Sequence, residues 1–315
     1  MSTAPAPRRA AIVGCGLIGR GWAAAFARAG WQCVLWDRDP AAVAHALDAV
    51  AGALDDMHRA GLAPDPATLP RPLAAATLAE ALAGAEHVQE SLPEDAAVKA
   101  AAFAEMDALA PPATLLASST STLPGARFLA GLPGRRRAIV AHPANPPHLL
   151  PVVEIVPSDW HRPEDTARFC AVMTAIGQVP VVLTAEIEGF VMNRLQTAVV
   201  NEAVALVAAG VIDPEGLDQV MKHSLGLRWA LMGPFETMDL NAPAGFLDYA
   251  TRYGHLFQAM GRSLSVAAPW DAAVLARIEA ARRAAVPAAE VAARMDWRDR
   301  ALMRLRAARN EEGAT

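Results

Sequence analysis

Seven short apolar runs mark the first half of the chain: AAIVG, QCVLWD, EHVQES, TLLASS, RAIVAH, PVVEIV and, at Gln178–Thr184, QVPVVLT. Alanine-rich stretches with helical character, such as Ala41–Ala60 and Asp95–Leu109, separate them. Strand-like runs alternating with helices predict parallel βαβ units. The character changes after Glu186. From Gly189 to Ala209 apolar residues recur at helical spacing without a break, which predicts a helix buried on most sides. Beyond it, to about Arg309, the segments DPEGLDQVM, SVAAPWDAAVLARIEAARRA and MDWRDRALMRLRAAR carry helix caps and no convincing strand. The expected fold is α/β: a Rossmann-type doubly wound sheet over residues 1–187, followed by an all-α domain over 188–315.

Composition changes this picture mainly by exclusion. The chain has 315 residues, of which 53% are hydrophobic and 19% charged, enough apolar content for two packed domains. Its net charge of −5 lacks the basic field that nucleic acid requires. The one sharp basic cluster, Arg135–Arg137, follows a Gly-Leu-Pro-Gly turn and reads as solvated. Cys15, Cys33 and Cys170 are too scattered for a disulfide framework, so a reduced, cytoplasmic compartment is expected. The N-terminal RRAAIVGCG resembles a twin-arginine signal or a lipoprotein box, yet its apolar run ends at Arg20, too soon to span a membrane. No membrane or nucleic-acid partner is therefore expected.

The same glycines have a better explanation. GCGLIGR places Gly14, Gly16 and Gly19 in the G-x-G-x-x-G arrangement directly after the first apolar run, and Leu17 and Ile18 open an amphipathic helix. Gly14 permits the tight turn, Gly16 the close approach of backbone to a pyrophosphate, and Gly19 close helix–sheet packing. The next run ends in Asp37, 23 residues beyond Gly14, where a carboxylate accepts from ribose hydroxyls and repels a 2′-phosphate. NAD is the expected cofactor, with Arg38 as the one feature that leans toward NADP.

Several dehydrogenase chemistries drop out. The only lysines are Lys99 and Lys222 and the only tyrosines Tyr249 and Tyr253, so no Tyr-x-x-x-Lys exists. GFVMNRL is not followed by the lysine that lysine-based hydroxy-acid dehydrogenases need. His142, His148 and Glu154 could be drawn as zinc ligands, but their proline-rich surroundings argue against it, and no metal is expected. There remains AHPANPPHLLPVVEIVP, with His142 at its start and Glu154 inside an apolar run. A histidine can take the proton of a secondary alcohol as hydride leaves, and a carboxylate on its other nitrogen fixes the tautomer. A buried structural ion pair is the other reading of these two residues.

ASSTSTL (Ala117–Leu123), AHPANPP with Glu154 beyond it, GFVMNRL (Gly189–Leu195) and GLRWALMGPFETMDLNA (Gly226–Ala242) together resemble the 3-hydroxyacyl-CoA dehydrogenase family, nearest its lambda-crystallin and L-gulonate 3-dehydrogenase branch. The resemblance implies His142 as acid/base, Glu154 as its orienting partner, Ser121 bonded to the reacting oxygen and Asn193 positioning substrate. It implies cofactor contacts from Glu94, Lys99 and Asn145, and a homodimer formed through the helical domain. Ser119 stands where the family normally has asparagine.

Substrate class follows from charge. The resemblance implies that acyl-CoA members hold the CoA phosphates with lysines near the helix after the second run; here that helix has no lysine and carries Asp48, Asp55 and Asp56, with Arg59 as its only strong cation, a poor setting for them. Arg228, in GLRWALMGP, could clamp a free carboxylate. A small 3-hydroxy acid is expected, L-gulonate first. L-carnitine and 3-hydroxybutyryl-CoA are alternatives, as is a crystallin-like structural protein that binds NAD. His148 and Leu149, in PPHLLP, replace aromatic residues of the gulonate branch at a place where specificity is set.

Overall fold

All seven apolar runs form strands in the computed structural model, which describes residues 7–265 and 267–311. They are β1 (Arg9–Val13), β2 (Gln32–Trp36), β4 (His87–Glu90), β5 (Leu115–Ser118), β6 (Ala138–Pro143), β7 (Val152–Val156) and β8 (Val179–Val182). A two-residue strand, β3 (Leu73–Ala74), adds an edge that the apolar pattern does not reveal, because both its residues are exposed. The strand order is β3-β2-β1-β4-β5-β6-β7-β8. The order reverses between β1 and β4, where a doubly wound sheet opens its ligand crevice.

Helices α1 (Leu17–Arg28), α2 (Pro40–Arg59), α3 (Leu78–Leu82), α4 (Ala96–Leu109) and α5 (Pro163–Ala175) make the crossovers. Their starts are written in the sequence. Asp39 caps α2 by accepting from the Ala41 amide, with Pro40 at the first helical position. Thr77 and Glu80 form a capping box on α3, and Asp95 caps α4 at the amides of Ala97 and Val98.

One pairing departs from the expected parallel sheet. β6 and β7 are antiparallel, with His142 directly opposite Glu154. The reason is the connection: the Ala144–Pro151 segment contains no helix, and a parallel neighbour would need a crossover of a dozen residues or more. Side-chain alternation then puts residues directly opposite each other on the same sheet face, so this register makes the two side chains neighbours.

The core lies on both faces of the sheet. Trp22 and Phe26 of α1, Leu54 and Met57 of α2, and Phe169 of α5 cover one face, and Leu82, Phe103, Met106, Leu129 and Phe190 cover the other.

The remaining helices are α6 (Met192–Ala208), α7 (Pro214–His223), α8 (Leu225–Trp229), α9 (Pro234–Leu240), α10 (Phe246–Gly261), α11 (Ala272–Ala285) and α12 (Val291–Glu311). Two units result: the described residues up to Asn193 together with Asp299–Glu311, and Arg194–Arg298. The sequence boundary at 187/188 assigns all of α12 to the helical domain, whereas its second half packs with the sheet unit. Met303 is buried in the α1 side of that core, and the Arg306 guanidinium donates to the carbonyls of His148 and Leu149. Within the other unit Arg282 of α11 pairs with Glu215 and Asp218 of α7. No described helix is long and apolar enough to cross a membrane.

Candidate active site

The glycine loop runs from the end of β1 into α1. Gly14 has φ +92°, and a Cβ there would lie 2.7 Å from the Ser91 carbonyl oxygen; a Cβ on Gly19 would lie 1.9 Å from the Gly14 oxygen. Side chains at these two positions are therefore excluded by backbone. Gly16, by contrast, has nothing within 4 Å of its Cβ position, and it is the N-cap of α1 without any side-chain cap. The first-turn amides of α1, beginning with Leu17 and Ile18, thus face open space with the positive end of the helix behind them, a setting for a pyrophosphate. At the end of β2, half-buried Asp37 accepts from the Cys15 amide at 2.8 Å and the Asp39 amide at 3.0 Å, and keeps lone pairs for a ribose. Burial first, then the Asp37 charge, pushes the Cys15 thiol up to about 12, so it stays an inert packing group. Glycines, helix end and carboxylate fit a dinucleotide.

His142 and Glu154 meet as their register requires. The Nδ1 of His142 lies 2.8 Å from Glu154 Oε2, and both residues are 3% exposed. The ring packs against Phe190 at 5.3 Å between centroids. Its other nitrogen, Nε2, has no partner among the described residues. Glu154 does more than hold the imidazole. Its Oε1 accepts from the amides of Val191 and Met192, both at 2.9 Å, which fastens the turn that begins α6. That turn contains Phe190 at φ +49°, an uncommon conformation for a bulky residue, held here by the two bonds to Glu154 and by burial of the ring.

The same turn delivers Asn193, whose Nδ2 donates to the Ser121 carbonyl at 2.7 Å. The Ser121 amide in turn donates to Glu94 Oε1 at 2.9 Å. His142, Glu154, Asn193, Ser121 and Glu94 are therefore joined by one network of hydrogen bonds through the α6 turn. Ser121 is exposed, and its hydroxyl has no partner among the described residues. Glu94 Oε1 also accepts from Thr120 Oγ1 and from the amide and hydroxyl of Thr122, so this carboxylate clamps the whole loop. Burial works to raise the Glu94 carboxyl, but the bonds from Thr120 and Thr122 and the Lys99 charge together hold it below the usual range.

Lys99 is 1% exposed, not a solvated helix charge. Its Nζ lies 2.9 Å from Glu90 Oε1, 3.2 Å from the Leu92 carbonyl and 3.6 Å from Glu94 Oε2. Glu90 is itself fully buried and accepts from Ser118 Oγ at 2.5 Å. The ammonium is thus enclosed by protein acceptors behind the Ser121 loop. Neither the Glu90 pair nor the second role of Glu154 is evident from the sequence. The available signal is that Glu154 sits in the apolar strand VVEIV, where a carboxylate needs partners; the mostly polar HVQE gives no such signal for Glu90. Asn145 is exposed on the segment after β6. Arg228 lies on α8 of the other unit, exposed and without an ion pair among the described residues.

Residues 9–187 match the 3-hydroxyacyl-CoA dehydrogenase NAD binding domain, and residues 189–282 match the C-terminal domain of the same enzymes. The chain belongs to the 3-hydroxyacyl-CoA dehydrogenase family. A lambda-crystallin homolog of Bos taurus is 40% identical over 95% of this chain and 95% of its own. An L-carnitine dehydrogenase of Streptomyces griseus is 37% identical over 84% of this chain and 76% of its own. The solved structure of 5-formyl-3-hydroxy-2-methylpyridine 4-carboxylic acid 5-dehydrogenase, an NAD-dependent dismutase, superposes with a TM-score of 0.85 at 29% identity, covering 98% of this chain and 100% of that one. As a 3-hydroxyacyl-CoA dehydrogenase family member the protein is an NAD-dependent oxidoreductase, and the glycine loop and Asp37 are where its sequence fits that cofactor.

Proposed function

We propose that the protein oxidises the 3-hydroxyl of a small free hydroxy acid to the 3-oxo acid, with L-gulonate as the first candidate substrate. The observation that carries this reading is the buried His142–Glu154 pair with Nε2 of the histidine unpartnered. Bound NAD supplies the hydride acceptor. His142 Nε2 takes the hydroxyl proton, and Glu154 holds the proton on Nδ1 and stabilises the imidazolium as it forms. The Ser121 hydroxyl donates to the reacting oxygen, and Asn193 keeps the Ser121 loop in place through its carbonyl.

A free acid is favoured over a CoA ester by the surroundings of α2. That helix carries no lysine, and Arg59 is already paired with Asp56. Arg228, without an ion pair among the described residues, is available to a carboxylate. The resemblance of GLRWALMGPFETMDLNA to the L-gulonate 3-dehydrogenase branch favours a sugar acid. L-carnitine is the second reading, supported by the 37% identical relative and by exposed Trp229 beside Arg228, an aromatic face for a quaternary ammonium. We also assign the helical unit to homodimerisation, since Leu227, Leu231, Phe235, Leu240 and Leu247 are all more than half exposed there.

The test is NADH formation with L-gulonate, L-carnitine, 3-hydroxybutyrate and 3-hydroxybutyryl-CoA, each with the native protein and with Arg228→Ala. The reading expects turnover of a free acid and a raised KM in Arg228→Ala. Turnover of the CoA ester alone would remove the free-acid assignment. NADH formation undiminished in His142→Gln would remove the mechanism.

A further inference from the structure

A second buried polar network lies on the α1 face of the sheet, apart from the His142 network. In β4 and just beyond it, His87, Gln89 and Ser91 alternate with Val88 and Glu90, so the three polar residues share one face. His87 and Gln89 are fully buried. His87 Nε2 lies 3.0 Å from Gln89 Oε1, and Gln89 Nε2 donates to Ser119 Oγ at 2.8 Å. The indole nitrogen of Trp22 also donates to Ser119 Oγ, at 3.0 Å, and the chain ends at Ser91 Oγ, 3.0 Å from Ser119 Oγ.

The unpartnered ring nitrogen of His87 sets the direction of this relay. His87 Nδ1 is buried without a partner. With the proton on Nδ1 the fold would hold an orphaned N–H, a rarer and costlier state than an idle lone pair. Nε2 therefore carries the proton, Gln89 Oε1 accepts it, and the Gln89 amide donates onward. Burial, which outweighs the Gln89 bond, pushes the His87 ring down to about 4, so it is neutral at pH 7 and donates one proton only. Ser119 Oγ then has both lone pairs filled, by Gln89 and Trp22, and its own proton can go only to Ser91 Oγ. The Ser91 proton is left pointing elsewhere, and Ser91 has no other side-chain partner among the described residues.

Ser91 stands at the carboxyl end of β4, half-buried, its amide bonded to the Val13 carbonyl at 2.7 Å and its carbonyl against Gly14. That is the β4 side of the crevice, across the glycine loop from Asp37. We propose that Ser91 is a cofactor-positioning residue, its hydroxyl proton aimed by the His87–Gln89–Ser119 relay at an oxygen of the dinucleotide beyond the Asp37-bound ribose. In the serine at position 119 one oxygen both receives the two donors and passes its own proton to Ser91. The inference rests on the NAD assignment and adds a contact that the glycine loop and Asp37 do not supply.

The experiment measures the Kd of NADH and of AMP by calorimetry for the native protein, Ser91→Ala, Ser91→Thr, Gln89→Met and the Ser91→Ala/Gln89→Met double variant. AMP reports the Asp37 side alone. Ser91→Ala is expected to weaken NADH about three- to tenfold, one neutral hydrogen bond, and to leave AMP unchanged. Ser91→Thr restores NADH affinity. Gln89→Met gives part of the same selective loss, and the double variant binds NADH no worse than Ser91→Ala, because the relay acts only through Ser91. Unchanged NADH affinity in Ser91→Ala, equal losses for NADH and AMP, or losses that multiply in the double variant would each overturn the proposal. Failure of the native protein to bind NADH would instead overturn the cofactor assignment on which it rests.

Discussion

Glu154→Gln separates a catalytic pair from a structural one, because its geometry leaves the new amide only one orientation. Glu154 Oε1 accepts two backbone amides at 2.9 Å, so the glutamine oxygen must stay there, and its NH2 takes the place of Oε2 beside His142 Nδ1, 2.8 Å away. Two donors cannot face each other. The ring must surrender its Nδ1 proton and become the Nε2–H tautomer, which has no lone pair on the nitrogen that should receive the substrate proton. The imidazolium also loses its counter-charge: two unit charges about 4 Å apart interact by about 4 kcal/mol at an effective dielectric constant of about 20, which is roughly a thousandfold in rate. The expected result is a kcat lower by about 10²–10⁴. NADH affinity should hold, and stability should fall by no more than about 1–2 kcal/mol, since both backbone amides keep their acceptor. The assay is steady-state NADH formation beside calorimetric NADH binding and thermal unfolding. A kcat within tenfold of the native value, with binding and stability intact, would show that the pair is structural and refute the reasoning.

Other outcomes follow from the buried network and the cradle. Lys99→Met leaves Glu90 charged and enclosed, and should destabilise by about 3–5 kcal/mol in urea unfolding, with most of the loss recovered in the Glu90→Gln/Lys99→Met double variant. Gly16→Ala should fold normally, since its Cβ meets nothing, yet weaken NADH binding at least tenfold, whereas Gly19→Ala should fail to give soluble protein because its Cβ meets the Gly14 carbonyl. The His87 ring titrates near 4 in the fold against 6.5 in the unfolded chain. Below 6.5 the unfolded state therefore binds more protons, and stability present above pH 6.5 is lost as pH falls toward 4, by about 3 kcal/mol at most. His87→Phe should flatten that limb of a stability–pH profile measured by urea unfolding.

The parts of the fold visible in the sequence are those set by local pattern. Apolar runs between helical stretches, and a glycine triplet followed by a strand-end aspartate, are each complete within a few dozen residues. The exposed dipeptide Leu73–Ala74 has no such pattern, and the antiparallel turn of β7 is implied only by the missing crossover helix. In the site, His142 and Glu154 are legible because a carboxylate in an apolar strand calls for a partner. Glu90 in EHVQES sits among polar neighbours, so its pairing with Lys99, one helix further on, is not legible in the same way. His87, Gln89 and Ser91 give no such signal, because the strand that carries them has Val88 as its only apolar residue and its burial is visible only in the fold. What no single-segment pattern conveys is the second bond of each group, such as the amides of Val191 and Met192 on Glu154. These depend on which turn is brought to which strand.

The return of Asp299–Glu311 to the sheet unit bears on the order in which the protein is made. Met303 completes the core beneath α1, and Arg306 holds the carbonyls of His148 and Leu149, in the segment between His142 and Glu154. Those residues leave the ribosome more than a hundred residues after Asn193. The nucleotide-binding unit cannot reach its final packing during its own synthesis, and must wait, with that hydrophobic site uncovered, until the helical segment has been translated. Ribosome-bound chains halted before Asp299 should accordingly carry a protease-sensitive segment around His148 that becomes protected once Arg306 has emerged.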